Sequence, residues 1–141
     1  MIAEDRRIQI VNRWIGTPYR YASMEPGIGV DCIYLVKGIL NDLGIGIDIP
    51  PYPKDWRYID PILFERHVSC FSYRIKLIDR NQIQFGDVVL LKDADGYVKH
   101  AGIVTDLSHF IHVLDDDLGT VRIDFIENYA LQIQRFVRVS E

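Results

Sequence analysis

The feature that most constrains the fold of this chain is a change of hydrophobic spacing about halfway along it. Before residue 72, apolar residues recur mostly three or four positions apart, which is the spacing of amphipathic helices. Beyond it, short runs rich in β-branched residues are separated by Gly, Asp and Asn, which is typical of strands joined by turns. Helices followed by strands predict an α+β fold with an antiparallel sheet, and the length favours one domain spanning residues 1–141.

Two helices have clear boundaries in the sequence. The first covers residues 2–15 and ends where Gly16 and then a proline follow. The second begins after Asp31, a residue type that caps helix N-termini, and its apolar face continues over residues 32–43. A less regular pattern predicts another helix over residues 61–71.

The other segments are predicted to be loops and strands. Residues 19–30 contain Gly and Pro and little periodicity, so we expect a loop there, and prolines stiffen an extended connection over residues 49–56. Composition and turn residues predict strands over residues 88–91, 98–105, 110–114, 120–123 and 131–139. These strands make up the predicted sheet.

Charge and composition exclude several classes of partner. The net charge is -4 with acidic and basic residues interspersed, so the chain lacks the basic patch that binds nucleic acid. No run approaches the ~20 apolar residues that cross a bilayer, and residues 1–7 lack the apolar stretch of a secretory signal. We therefore expect no nucleic-acid or membrane partner and synthesis in the cytoplasm, where Cys32 and Cys70 stay free thiols.

Cys32 is the candidate nucleophile because it falls in the first turn of the second predicted helix. A helix N-terminus favours the thiolate over the thiol, and its exposed N–H groups can also bind an oxyanion. The alternative is that Cys32 is a small buried hydrophobic residue without a chemical role. Position alone does not decide between these two interpretations.

A thiolate catalyst needs an imidazole, and His100 lies near the start of a predicted strand. If residues 105–107 form a hairpin loop, His112 becomes its direct cross-strand neighbour and can orient it. Alternatively, His112 is a core histidine bonded to a backbone carbonyl. Zinc held by Cys32 and these histidines is less favoured because the chain has no paired ligand motif, so we expect neither a metal nor a cofactor.

Five short motifs carry a resemblance to a known family. In chain order they are Gly16-Thr17-Pro18-Tyr19, Gly29-Val30-Asp31-Cys32, Gly86-Asp87-Val88-Val89, His100-Ala101-Gly102-Ile103 and Phe110-Ile111-His112. This set resembles the NlpC family of cell-wall cysteine peptidases. The resemblance implies a papain-like fold, with N-terminal helices packed on a small antiparallel sheet or half-barrel, and catalysis by Cys32, His100 and His112 without a cofactor. It also implies hydrolysis of amide bonds in peptidoglycan stem peptides, of the D-γ-glutamyl-diaminopimelate type.

The resemblance extends to residues that contact the substrate. It implies that Tyr19 lies beside the nucleophile and that Asp31 receives a substrate amine. Family members commonly continue the nucleophile motif with Ser-Gly where this chain has Ile33-Tyr34, which adds the Tyr34 ring near the cleft. Ile33 and the proline-rich connection resemble a branch found in phage tails and gene-transfer agents, which implies phage tail proteins as partners and action at the cell wall or from a virion.

Three alternatives to a wall peptidase stay open at this point. The fold can serve as an inactive tail-assembly or binding module, which the altered residues after Cys32 favour. The same cysteine and histidine can act as a thiol amidohydrolase or acyltransferase on a substrate outside the wall. A cytoplasmic enzyme can also recycle released wall peptides.

Overall fold

Helices occupy the first half of the chain and a six-stranded antiparallel sheet occupies the second, as the change of spacing predicts. The computed structural model describes residues 2–70, 72–115 and 119–141. Its helices are α1 (Glu4–Trp14), α2 (Cys32–Asp42), α3 (Trp56–Ile59) and α4 (Leu63–Ser69). Its strands are β1 (Met24–Glu25), β2 (Gly29–Val30), β3 (Ile75–Ile78), β4 (Val88–Lys92), β5 (Val98–Val104), β6 (His109–His112), β7 (Arg122–Phe125) and β8 (Ile133–Val139).

The large sheet has the strand order β3-β8-β4-β5-β6-β7, and every neighbouring pair is antiparallel. Helix α2 lies against β5 and buries Leu35, Ile39 and Leu40 almost completely. Burial of a side chain of this size stabilises the fold by about 1.5–3 kcal/mol. Among the described residues, no helix is long and apolar enough to cross a membrane.

Trp14 joins helix α1 to α2 through both a hydrogen bond and ring packing. The Nε1 atom of Trp14 donates to Oδ2 of Asp42 at 2.8 Å, and the indole ring lies over Gly38. A Cβ atom at Gly38 would lie 2.4 Å from the ring, so only glycine permits this approach of the two helices.

The described bounds of α1 and α2 confirm the two clearest predictions, and other predictions need correction. The helix predicted over residues 61–71 is shorter, and its last predicted residue, Phe71, lies outside the described residues. The predicted loop 19–30 contains the small hairpin of β1 and β2. Strand β7 begins two residues later than the prediction for 120–123. The prediction missed α3 and β3, both of four residues, which are too short to show a period.

The turn between β5 and β6 differs from the predicted loop. Asp106 begins the turn, and its Oδ1 atom accepts from Ser108 N–H and lies close to His109 Nδ1, both at 2.8 Å. This local side-chain bonding places the turn one residue further along the chain than predicted. The register therefore pairs Ile103 with Ile111.

In this register Gly102, and not His100, lies opposite His112, so the prediction of direct cross-strand neighbours is wrong. The pairing has moved by two positions, which leaves both histidines on the same face of the sheet. They approach each other diagonally across Gly102, where a Cβ atom would lie 3.0 Å from that of His112.

We predict that Gly38→Ala destabilises the protein by about 1–3 kcal/mol in spite of alanine's higher helix propensity, because the new methyl group overlaps the Trp14 ring. Gly46→Ala is the control, since its Cβ would meet no atom within 4 Å and its φ is not positive. Chemical denaturation measures both free energies of unfolding. Equal stability of the two variants would mean that α1 does not pack on α2 in this way.

Candidate active site

Cys32 is the first residue of α2, and the helix start around it is held by Asp31. The Oδ1 atom of Asp31 accepts the N–H of Tyr34 at 2.8 Å, which confirms the predicted N-cap. Cys32 itself is only 1% exposed, because α2 places it against β5 in the core. The helix therefore presents the candidate nucleophile at the predicted position, beneath the surface.

The Asp31 carboxylate also joins two other segments to the helix start. Its Oδ2 atom accepts from the N–H of Ala22 at 2.9 Å and from the hydroxyl of Tyr52. Asp31 is 2% exposed, and burial raises its pKa even though these hydrogen bonds act to lower it. A substrate amine would have to displace Tyr52 to reach it, so its role toward an amine stays a prediction.

His100, His112 and Asp124 form a continuous chain of polar contacts. His100 Nε2 lies 2.8 Å from His112 Nδ1, and His112 Nε2 lies 2.7 Å from Asp124 Oδ2. The same oxygen of Asp124 accepts from Arg122 Nε at 2.8 Å and from the Tyr129 hydroxyl at 3.1 Å. The structure thus brings together the two predicted histidines and adds a carboxylate.

The ionised carboxylate sets the tautomer of both histidines. Burial raises the pKa of Asp124, but hydrogen bonds from His112 and Arg122 outweigh it and leave the pKa below its usual value. Asp124 must accept, so His112 carries its proton on Nε2 and accepts at Nδ1. His100 then donates from Nε2, which leaves the lone pair of its Nδ1 free to accept a proton.

Both histidines are neutral at neutral pH. Burial, followed by the charges of His112 and Arg57, holds the pKa of His100 well below its usual value. Burial also lowers the pKa of His112, against the effect of Asp124. The rings of Phe110 and Tyr129 lie 4.3 and 5.2 Å from the His112 ring and exclude water from it.

A β-bulge in β5 lies immediately before His100. His100 pairs with Leu91, whereas the next residue of β4, Lys92, pairs with Val98, so Lys99 is an extra residue in β5. Bulges redirect side chains and are frequent beside active sites. This bulge follows from strand pairing and has no signature in the sequence of β5 alone.

The Cys32 sulfur has polar partners that the sequence did not indicate. Arg57 Nη2 lies 3.4 Å from it, and the N–H of Ala101 donates to it. Among the described residues, no hydrogen bond joins the sulfur to His100, although Ala101 is the next residue in β5. Burial raises the pKa of Cys32 to about 12, against the effect of Arg57, so the predicted thiolate does not form by the helix position alone.

The two predicted tyrosines have different partners near the start of α2. Tyr19 forms a side-chain hydrogen bond with Arg57, and burial raises its pKa to about 12. Its charged form would also interact with Cys32, so Tyr19 lies near the candidate nucleophile, and its role toward a substrate stays a prediction. The Tyr34 ring packs 6.0 Å from the ring of Tyr52, in the wall of the site next to Asp31.

Within the described residues, no group of three or more His, Cys, Asp or Glu side chains is arranged to hold a metal ion. Both ring nitrogens of His112 already face polar partners, His100 and Asp124. A zinc ion bound by His112 would have to break one of these contacts. The geometry therefore favours thiol chemistry over the zinc site considered from the sequence.

Comparison with known proteins agrees with this geometry. The sequence model of the NlpC/P60 family matches residues 16–138, which is most of the chain. The chain belongs to the NlpC/P60 family. A search of curated proteins found no match to it.

Solved structures show the same fold. The domain is similar to NlpC2 from Trichomonas vaginalis, with 20% identity and a TM-score of 0.68 over 95% of this chain and 44% of that one. An NlpC/P60 family protein from Bacillus cereus ATCC 10987 has 21% identity and a TM-score of 0.68 over 96% of this chain and 39% of that one. The NlpC/p60 domain of peptidoglycan hydrolase SagA has 18% identity and a TM-score of 0.59 over 99% of this chain and 100% of that one.

These likenesses establish an α+β, papain-like fold for this NlpC/P60 domain. The chain spans less than half of the length of the first two relatives, at 44% and 39%.

We predict that Asp124→Ala allows a proton on Nδ1 of His100, because His112 loses the acceptor that fixes its tautomer. Asp124→Asn is the matched control, since its carbonyl oxygen can take the place of Oδ2. The ¹⁵N shifts of the imidazole nitrogens measure the tautomers. Any activity that uses Nδ1 as base should fall roughly 10- to 100-fold in the alanine variant, part of what a general base contributes. A single unchanged tautomer in Asp124→Ala would contradict the role of Asp124.

Proposed function

We propose that this NlpC/P60 domain is a cysteine peptidase that hydrolyses amide bonds in peptidoglycan stem peptides, of the D-γ-glutamyl-diaminopimelate type. The observation that carries the proposal is the directed chain from Asp124 through His112 to His100, because it ends in a free lone pair on the strand that covers Cys32. A histidine with only a packing role in the core would not need its proton positions fixed in this way. The name of one similar structure, the domain of a peptidoglycan hydrolase, supports the choice of substrate.

The first half of the reaction transfers the acyl group to the enzyme. Nδ1 of neutral His100 takes the thiol proton while the Cys32 sulfur attacks the amide carbon, and the carbonyl electron pair moves to the oxygen. The first N–H groups of α2 have no helical acceptor and can bind this oxyanion. The C–N bond then breaks, and the leaving amine takes the proton from His100.

The second half returns the enzyme to its starting state. Nδ1 of His100 takes a proton from water as the hydroxide attacks the acyl carbon, and the C–S bond breaks. The proton returns to the Cys32 sulfur, and the carboxylic acid leaves. The Cys32 sulfur accepts from Arg57 and Ala101, and among the described residues no hydrogen bond joins it to His100. The thiol must therefore reorient toward His100 when substrate binds, as catalytic hydrogen bonds often do.

The substrate and the route to it are the finer parts of the proposal. Tyr19, Asp31 and Tyr34 surround the start of α2 and are the residues that we propose to contact the stem peptide. We also propose that a phage tail delivers the domain to the wall, with tail proteins as partners. The extended segment before α3 supports this route through its resemblance to the phage-tail branch.

A second candidate function is a binding or assembly module without activity. The observation that favours it is the burial of Cys32, which is 1% exposed and whose pKa burial raises to about 12. A module would retain the fold and bind wall peptides without cutting them. The same thiol acting on acyl donors outside the wall is the remaining alternative.

We predict that the intact protein cleaves purified peptidoglycan fragments and that Cys32→Ala and His100→Ala abolish cleavage, because one removes the nucleophile and the other the base. Mass spectrometry of the products identifies the bond. Cys70→Ala is the matched control and should cleave normally, since Cys70 is exposed. Binding of the fragments without cleavage would favour the module, and cleavage by Cys32→Ala would exclude the thiol mechanism.

We predict an acid limb of kcat/KM that lies below pH 6.5. His100 acts only when its Nδ1 is unprotonated, and its pKa is well below the usual 6.5, so activity rises through that lower pKa and stays level across neutral pH. Initial rates between pH 4 and pH 9, on a substrate without a titrating group in this range, measure the profile. A limb centred above pH 6.5 would contradict a buried neutral base.

A further inference from the structure

Arg57 is the charged residue whose contacts with the nucleophile are not explained by the mechanism above. It lies in α3, and its Nη2 atom is 3.4 Å from the Cys32 sulfur. Its Nη1 donates to Asp115 Oδ2 at 3.0 Å and its Nε donates to the carbonyl of Lys99 at 3.3 Å. The guanidinium carbon lies 4.6 Å from the centre of the Trp56 ring.

These contacts fix the guanidinium before any substrate arrives. Its hydrogen-bond partners come from α2, from the bulge of β5 and from the segment after β6, while the Trp56 ring supports its plane. The Arg57 side chain is 18% exposed, so water screens its charge only in part. A charge that is already oriented and partly desolvated stabilises a developing anion without reorganisation.

We propose that Arg57 is a further catalytic residue, whose guanidinium stabilises negative charge on the Cys32 sulfur and, after attack, on the oxygen of the tetrahedral intermediate. The second role rests on the proposed peptidase function. The first role applies to any reaction of this thiol with an electrophile. No new bond forms to Arg57, and it keeps its proton throughout.

Other groups that face Cys32 cannot supply this charge. Asp31 and Asp115 are carboxylates, so both oppose a thiolate. Tyr19 and His100 are neutral before attack, since burial raises the pKa of the one and lowers that of the other. The imidazolium appears only once the thiol proton has moved, whereas Arg57 is positive from the start.

Asp115 moderates the effect of Arg57. Its carboxylate binds Nη1 and is 54% exposed, so solvent screens part of its charge. Removal of that charge should leave more of the guanidinium's field at the sulfur. This expectation provides a variant that alters the site without touching Arg57.

The experiment measures alkylation of Cys32 by iodoacetamide between pH 6 and pH 9, in the full chain, by mass spectrometry of the Cys32 peptide. Arg57→Lys and Arg57→Gln both remove the guanidinium that covers the thiol, but only the lysine variant keeps the positive charge. The ratio of their rates therefore measures the effect of the charge separately from the effect of reagent access. We expect the lysine variant to react about threefold faster or more. If the charge of lysine lowers the pKa of Cys32 by one unit, the thiolate fraction rises about tenfold. The thiolate of the glutamine variant is more basic and therefore more nucleophilic, which offsets part of the difference in rate.

Two further variants complete the test. Asp115→Asn should react faster than the intact protein. Arg66→Gln removes an arginine that pairs with Asp60, and this control should react at the same rate as the intact protein. Thermal melting confirms that each variant is folded. Equal rates for Arg57→Lys and Arg57→Gln, or no gain in Asp115→Asn, would overturn the proposal.

The two proposals fail in different ways. If peptidoglycan is not cleaved while the lysine variant still exceeds the glutamine variant, the peptidase function fails and the charge role of Arg57 stands. If cleavage occurs and the two variants react equally, Arg57 is structural and the peptidase function stands. With an active enzyme, Arg57→Gln should also lower kcat more than it changes KM, because the charge it stabilises develops after binding.

Discussion

The carboxylate of Asp31 holds together three segments next to the candidate nucleophile, Cys32. One oxygen caps α2, and the other accepts from the loop at Ala22 and from the extended connection at Tyr52. An unsatisfied buried donor costs about 1–3 kcal/mol, so loss of this one group would release several constraints together. The start of α2 at Cys32 and the path of the segment before α3 both depend on it.

The carboxylates of Asp31 and Asp124 have different functions in the site. Asp31 is buried and its bonds fix the backbone, whereas Asp124 is partly exposed and all its polar contacts from side chains end on one oxygen. The first sets where the sulfur is, and the second sets which nitrogen of His100 is basic. Because both histidines are neutral, the ionised Asp124 at one end of this chain of contacts sets its direction.

Local sequence signals were sufficient for the parts of the site that lie within one element. The N-cap at Asp31, the position of Cys32 and the two histidines follow from helix capping and strand patterns, which act over a few residues. The register of the histidines was wrong because the Asp106 side chain determines where the turn begins. The antiparallel sheet was predicted, although its short edge strand β3 was not.

The contacts of Arg57 and Asp124 in the site could not be predicted from local sequence patterns. Arg57 reaches a sulfur 25 residues away in sequence from a helix of four residues, and Asp124 reaches His112 across the β6–β7 pairing. Nothing in the local pattern of either segment distinguishes these residues from ordinary surface charges. Sequence reasoning therefore proposed Cys32 and His100 as nucleophile and base, and the tertiary structure was needed to find the charged groups around them.

Burial of the site has opposite effects on the pKa values of the two groups that exchange a proton in the proposed reaction. It raises the pKa of the Cys32 thiol and lowers that of His100, so the uncharged pair is favoured over a thiolate beside an imidazolium. In the proposed reaction the proton then moves during attack and not before it. In the same low-dielectric surroundings the fixed charge of Arg57 acts more strongly on the sulfur than it would in water. A closed site can therefore keep its thiol protonated at rest and still stabilise the charge that develops during the reaction.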